Sequence, residues 1–242
     1  MRLVLLHARA TTVELLRYPA FLVPTLLFPA VFFLFFVAPR SPVAARAEMA
    51  TFAGFAVIGV AFFQFGVGIA VERASPWETY LRTLPVGPGP RLVARVLSAV
   101  LFASAAAAIL VAVAVATTEA SLTPERWLAL AIALLLGAAP FAVLGIALGY
   151  WAPARGALPI ANLLYLALSY AGGLWFRVRD LPAPIADVSP YLPTRSLADA
   201  LTAIAVGHAV ALRAAASLIG FTALFAAFAL WGYRRDEGKH FR

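Results

Sequence analysis

The sequence predicts an all-α integral membrane protein with about six transmembrane helices, and three observations carry that prediction. Hydrophobic residues fill 63% of 242 positions and charged residues 12%, with a mean hydropathy of +0.91. A chain this apolar has too little polar surface to cover an aqueous core, so its solvent is lipid. Six apolar stretches recur along it, each near the roughly twenty residues that a helix needs to cross a bilayer. No repeat of solenoid or propeller length and no low-complexity linker divides them, so residues 1–242 read as one transmembrane domain.

The spans lie near 19–37, 51–71, 95–117, 127–150, 157–176 and 210–233. The first is longer than a secretory signal core and follows an extended basic segment, so it is read as a retained span. Pro19, Pro24 and Pro29 within it predict a kinked or interrupted helix. The fourth carries Pro140 and the pair Gly145 and Gly149, whose spacing suits close helix packing. An even number of spans puts both termini on one side. Twelve of the 19 basic residues then fall on that side, including Arg2, Arg9, Arg17, Arg73, Arg82, Arg91 and Arg95. The positive-inside rule makes it the cytoplasmic side of a cell membrane. The net charge of +8 therefore reports arginines near lipid headgroups, not a nucleic-acid surface.

The connection between spans two and three, Val71 to Pro90, is the most patterned polar segment. Ser75-Pro76-Trp77-Glu78 combines a capping residue, a proline suited to the first helical position and an S-x-x-E capping box. Pro85, Gly87, Pro88, Gly89 and Pro90 stop the helix. Between these signals Trp77, Tyr80, Leu81 and Leu84 share one face, while Glu78, Thr79, Arg82 and Thr83 share the other. Such a helix is about 13 Å long and marginal alone in water, so it must dock. Its aromatic face suits headgroups, and its charged face suits a cytoplasmic protein.

Missing chemistry narrows the function. Lys239 is the only lysine, so a phosphate-binding loop ending in Gly-Lys-Ser/Thr is impossible and the chain is not a Walker-type ATPase by itself. His7, His208 and His240 are far apart, there is no cysteine, and no metal site is expected. Inside their terminal residues the first five spans hold no Asp, Glu, Lys, Arg or His. The sixth holds only Arg213, near its outer end. Ion-coupled carriers need such groups as relays, and no nucleophile has a partner placed to activate it, so the chain is read as non-catalytic.

The intramembrane polarity is sparse. Gln64 lies in the second span, and Asn162, Tyr165 and Ser169 recur at i, i+3 and i+7 in the fifth, on a face able to line a path or a dimer seam. In the long outer connection Ser196 is expected to cap a helix, with Asp199 completing the box. Leu197, Leu201, Ile204 and Ala205 form its apolar stripe and Gly207 ends it. That helix could close the outer end of a pathway.

With these features in place, the chain resembles the membrane subunits of ABC-2 type exporters, especially the six-span permeases of the daunorubicin-resistance group. The likeness rests on Glu72-Arg73, Trp77-Glu78, Leu81-Arg82-Thr83-Leu84-Pro85-Val86, and Arg91 and Arg95 entering the third span. The proline-marked run Ser189-Pro190-Tyr191-Leu192-Pro193 before the outer helix adds to it. Ser75-Pro76 departs from the small turn residues usual in the family, implying a stiffer local backbone. The resemblance implies that Glu72, Arg73, Pro76, Trp77, Glu78, Tyr80, Leu81 and Arg82 form a coupling element against a separate cytoplasmic ATPase. That partner would carry the ATP and magnesium, and a second permease copy would complete the pathway. Two rival readings stand beside it: a self-sufficient membrane transporter, pore or enzyme, and a non-transporting assembly or regulatory subunit.

Overall fold

Apolar sequence with prolines clustered near helix starts gives long helices with short joints. The computed structural model, which describes residues 2–37, 41–76 and 89–240, contains helices and turns and no strand among those residues. In chain order the helices are α1 (Arg2–Leu16), α2 (Pro19–Phe36), α3 (Pro42–Arg73), α4 (Gly89–Thr117), α5 (Pro124–Gly137), α6 (Ala139–Trp151), α7 (Ala154–Ala171), α8 (Ala183–Val188), α9 (Pro193–Val206) and α10 (Leu212–His240). Pro19, Pro42, Pro124, Pro140 and Pro193 all sit at the first or second helical position, where the missing N–H leaves no bond unmade.

Among the described residues four helical stretches are long and apolar enough to cross a membrane: Pro42–Arg73, Leu92–Thr117, Pro124–Trp151 and Leu212–Asp236. Leu22–Phe36 is apolar but shorter. The interruption expected from Pro24 and Pro29 does not occur, and α2 runs as one helix through both. In a helix each proline removes a single bond, and the neighbouring ones hold. The fourth apolar stretch is instead jointed at Ala138, where the C-cap of α5 meets Pro140 near the start of α6.

The second apolar stretch becomes the centre of the molecule. Of its most apolar window 78% is buried, against 11% for α10, which lies at the periphery. Phe52, Phe55, Ile58 and Phe62 of α3 are fully buried, along with Met49. Phe55 stacks on Tyr165 at 4.5 Å with planes 3° apart, and Trp175 meets both Phe32 and Phe55 edge-on. Halfway along, residues Phe62–Val67 form a π-helical turn, which places Gln64 in the interior.

Helix α9 is an inserted wedge. Its apolar stripe is buried at Leu197, Leu201 and Ala205. A Cβ placed on Gly54 of α3 would lie 2.6 Å from Leu201 Cδ1, and one on Gly137 would collide with Leu197 Cδ1. The wedge therefore reaches the depth of the α5–α6 joint. Its stop at Gly207 is as the sequence predicts, with φ +87° in the left-handed region that glycine occupies without strain. Its start is not. The N-cap is Leu192, Pro193 begins the helix, and Ser196 lies inside it. Ser196 Oγ instead donates to Ser217 Oγ at 2.8 Å, and Asp199 pairs with Arg195 one turn earlier. Proline's fixed φ starts the helix three residues before the hydroxyl that was expected to cap it.

Candidate functional site

The end of α3 carries the charges. Glu72 and Arg73 are the last residues of that helix, followed by a turn in which the Ser75 amide donates to the Glu72 carbonyl at 2.9 Å. Adjacent residues on a helix point about 100° apart, so the two side chains reach different neighbours.

Arg73 reaches inward. Its Nε donates to Asp236 Oδ2 at 3.0 Å, and Nη2 donates to Oδ1 of the same carboxylate. Nη1 donates to the carbonyl of Gly149 at 2.5 Å. Gly149 lies in the last turn of α6, where carbonyls have no helical donor, so the guanidinium fills a vacancy the helix end creates. The Arg73 guanidinium carbon also stands 5.4 Å from the centre of the Tyr150 ring. Each of the three guanidinium nitrogens donates a bond, a planar arrangement that a lysine could not reproduce. Side-chain exposure is 21% for Arg73 and 9% for Asp236, so this pair is screened far less than a surface ion pair.

Glu72 reaches outward to Arg95, near the start of α4. Its side chain is 55% exposed, and a pair so open contributes little stability by itself, about 0–1 kcal/mol. Two neighbouring charges thus tie the root of the 72–90 segment to α4 on one side and to α6 and α10 on the other.

Helices α6 and α10 are themselves stitched together at this end. Trp151 stacks on Phe228 at 5.0 Å and meets Trp231 edge-on at 4.7 Å. Tyr150 meets Tyr233 edge-on at 5.4 Å, and the Arg235 guanidinium lies 4.8 Å from the Trp151 ring. The Gly145–Gly149 face packs on α3: a Cβ at 145 would stand 2.8 Å from the Ala61 carbonyl oxygen, and one at 149 would stand 2.7 Å from Ile69 Cβ.

The remaining expected residues are placed as follows. Pro76 is helical, whereas Trp77, Glu78, Tyr80, Leu81 and Arg82 lie outside the described residues. Tyr165 is buried and donates its hydroxyl to the Phe55 carbonyl at 3.1 Å. Ser169 and Gln64 are buried, with Ser169 Oγ and Gln64 Nε2 lacking a hydrogen-bond partner. Asn162 does not join them and is exposed. The buried stripe of α7 is Ala157, Ala161, Tyr165 and Ser169, at four-residue spacing. Asn162 lies at the margin of that stripe, and the packing that covers Ser169 two turns on does not extend to it.

At the opposite end Arg195, Ser196, Asp199, Arg213 and Ser217 line a cavity of about 220 Å³ beside the wedge. Among the described residues no group of His, Cys, Asp or Glu could hold a metal ion.

Sequence reading missed Asp236, Tyr150 and Trp151. The sequence does not single out Asp236, because Asp236 and Glu237 stand side by side among Arg234, Arg235 and Lys239 in a tail that suits headgroup contact.

The comparisons with known proteins agree with this architecture. Residues 42–231 match the family model described as ABC-2 family transporter protein. The chain is also 22% identical over 230 residues to the Bacillus subtilis (strain 168) protein named "Putative transport permease YvfS", covering 93% of this chain and 94% of that one. With several helices apolar enough to span a bilayer and a family match over most of its length, this chain is a multi-pass membrane protein that belongs to the ABC-2 family of transporter proteins.

Proposed function

We propose that the chain is the permease subunit of an ATP-binding-cassette exporter. It would work as a dimer, driven by separate ATPase subunits that dock on segment 72–90. In this reading α2 and α7 complete a set of six spans, both termini and the Glu72–Arg73 end face the cytoplasm, and the protein resides in the cytoplasmic membrane. The observation that carries it is the anchored root of the segment. The segment leaves from two charges, Glu72 and Arg73, that grip three other helices, and its sequence predicts a short helix, marginal alone, capped by Ser75-Pro76 and ended by Pro85. A lever needs such a base. The lone lysine, Lys239, leaves ATP hydrolysis to a partner chain, and the spans offer no ion relay to replace it.

The test is co-expression with the neighbouring genes, purification in mild detergent with a search for a bound ATPase, and ATPase measurement in nanodiscs. The complex should co-purify, and both Trp77→Ala and Glu78→Arg should abolish the permease's effect on ATP turnover without loss of membrane insertion. Activity of the permease alone in proteoliposomes, with no ATPase recovered, would overturn the reading in favour of a self-sufficient transporter.

A further inference from the structure

We propose that Asp236, near the end of the last helix, is a positioning residue for the segment at Glu72–Arg73. Through Arg73 it joins the ends of α3, α6 and α10 into one body, so that displacement of the segment is delivered to the last span. The proposal rests on the permease reading above and extends it to a helix that lies 163 residues from its partner.

The geometry favours transmission through Arg73 over transmission through Glu72. Both oxygens of Asp236 are engaged by Arg73, a two-point contact that fixes orientation as well as distance. The third donor ties in Gly149, so one side chain spans three helix ends. The Glu72–Arg95 pair meets water on its Glu72 side and can rearrange as the segment moves. Motion at the root therefore reaches α4 through a soft contact and α6 with α10 through a stiff one. The rings of Tyr150, Trp151, Phe228, Trp231 and Tyr233 then keep α6 and α10 in register, because stacked and edge-on aromatic pairs resist sliding. The contact of α10 with α9, through Ser196 and Ser217, lies toward its other end, and α10 is the least enclosed of the four long apolar helices, which leaves its Asp236 end room to follow.

Stabilisation alone would place the same ion pair here. The two roles differ in their response to nucleotide, which a purely structural clasp would not transmit.

Hydrogen exchange of the reconstituted permease–ATPase complex separates them, comparing nucleotide-free with ATP-and-vanadate-trapped states. In the wild type, exchange should change at 68–76 and at 228–236 together. In Asp236→Asn the change at 68–76 should persist while that at 228–236 falls at least about fivefold, the lower end of coupling between linked sites. Asp236→Glu, which keeps the charge, should restore it. Arg73→Lys keeps charge but loses the fork and should fail like Asp236→Asn, which covers the case in which that variant does not fold. An undiminished nucleotide response at 228–236 in Asp236→Asn overturns the proposal, as does a wild-type response confined to 68–76. A wild-type complex that binds nucleotide with no response at 68–76 refutes the coupling role of the segment itself, and this inference with it. If no complex forms, the permease reading has failed on its own. Exchange of the isolated permease then decides whether Asp236 joins these ends: Asp236→Asn should raise it at 145–151, and an unchanged rate rejects the clasp.

Discussion

Gly149→Ala is the sharpest test of how the α6 end is held. A methyl there would stand 2.7 Å from Ile69 Cβ, 2.9 Å from Ile69 Cγ2 and 2.9 Å from the Phe65 carbonyl oxygen. Carbon atoms prefer about 3.5–4.0 Å, so the contact is about 1 Å too close. Neither neighbour can yield, since Ile69 is β-branched on a buried helix and the Phe65 oxygen is backbone. Helix α6 must therefore retreat, carrying the Gly149 carbonyl from 2.5 Å toward or beyond the limit of about 3.2 Å for its bond to Arg73. Overpacking of this kind costs about 1–3 kcal/mol. Loss of a hydrogen bond to a charged group adds about 1.5 kcal/mol, and the better helix propensity of alanine returns about 1 kcal/mol. The expected net loss is about 1.5–3.5 kcal/mol by these terms. Gly220→Ala is the internal control. Nothing lies within 4 Å of the place its methyl would take on α10, so the propensity term alone remains. Reversible unfolding by SDS in mixed micelles should separate the two variants by about 3.5 kcal/mol, roughly three hundredfold in the equilibrium constant. Equal stability for Gly149→Ala and Gly220→Ala would refute the argument that contact at Gly149 sets the approach of α6 to α3.

Two further outcomes follow from the packing. Leu201→Ala should destabilise by about 2–5 kcal/mol in the same assay, because Leu201 is fully buried against Gly54 and its loss leaves a cavity between α9 and α3. Tyr165→Phe should cost only about 0.6 kcal/mol, the average for a hydrogen bond between membrane helices, since the ring stack on Phe55 survives.

Much of the fold was legible because hydrophobic runs and glycine-proline punctuation are local signals. The helical class, the Gly145–Gly149 face and the stop at Gly207 all follow from residues within a few turns of one another. Local signals also misled where two competed. Ser196 and Asp199 spell a capping box, yet Pro193 three residues earlier begins the helix, and the hydroxyl is left to bond Ser217 instead. Hydropathy could not reveal the π-helical turn at Phe62–Val67 either, because its composition is that of any buried helix.

The candidate site was half legible, for a reason built into its chemistry. Glu72 and Arg73 declare themselves by being charged at the end of an apolar run, which marks a place where charge has a purpose. The partner of such a charge need satisfy only one condition, which is to be acidic and to end at the same depth. No periodicity relates residue 73 to residue 236, and Asp236 sits in a tail whose basic neighbours already suit a membrane surface. What singles it out in the structure is its burial. A carboxylate that lies on the least enclosed helix, yet is 9% exposed, must have a cation brought to it by another element. Of the arginines near this end, Arg95 is engaged by Glu72 and Arg235 lies over Trp151, while Arg73 ends the most enclosed helix of all. The pair therefore joins the centre of the bundle to its edge, and a substitution at either residue acts on both.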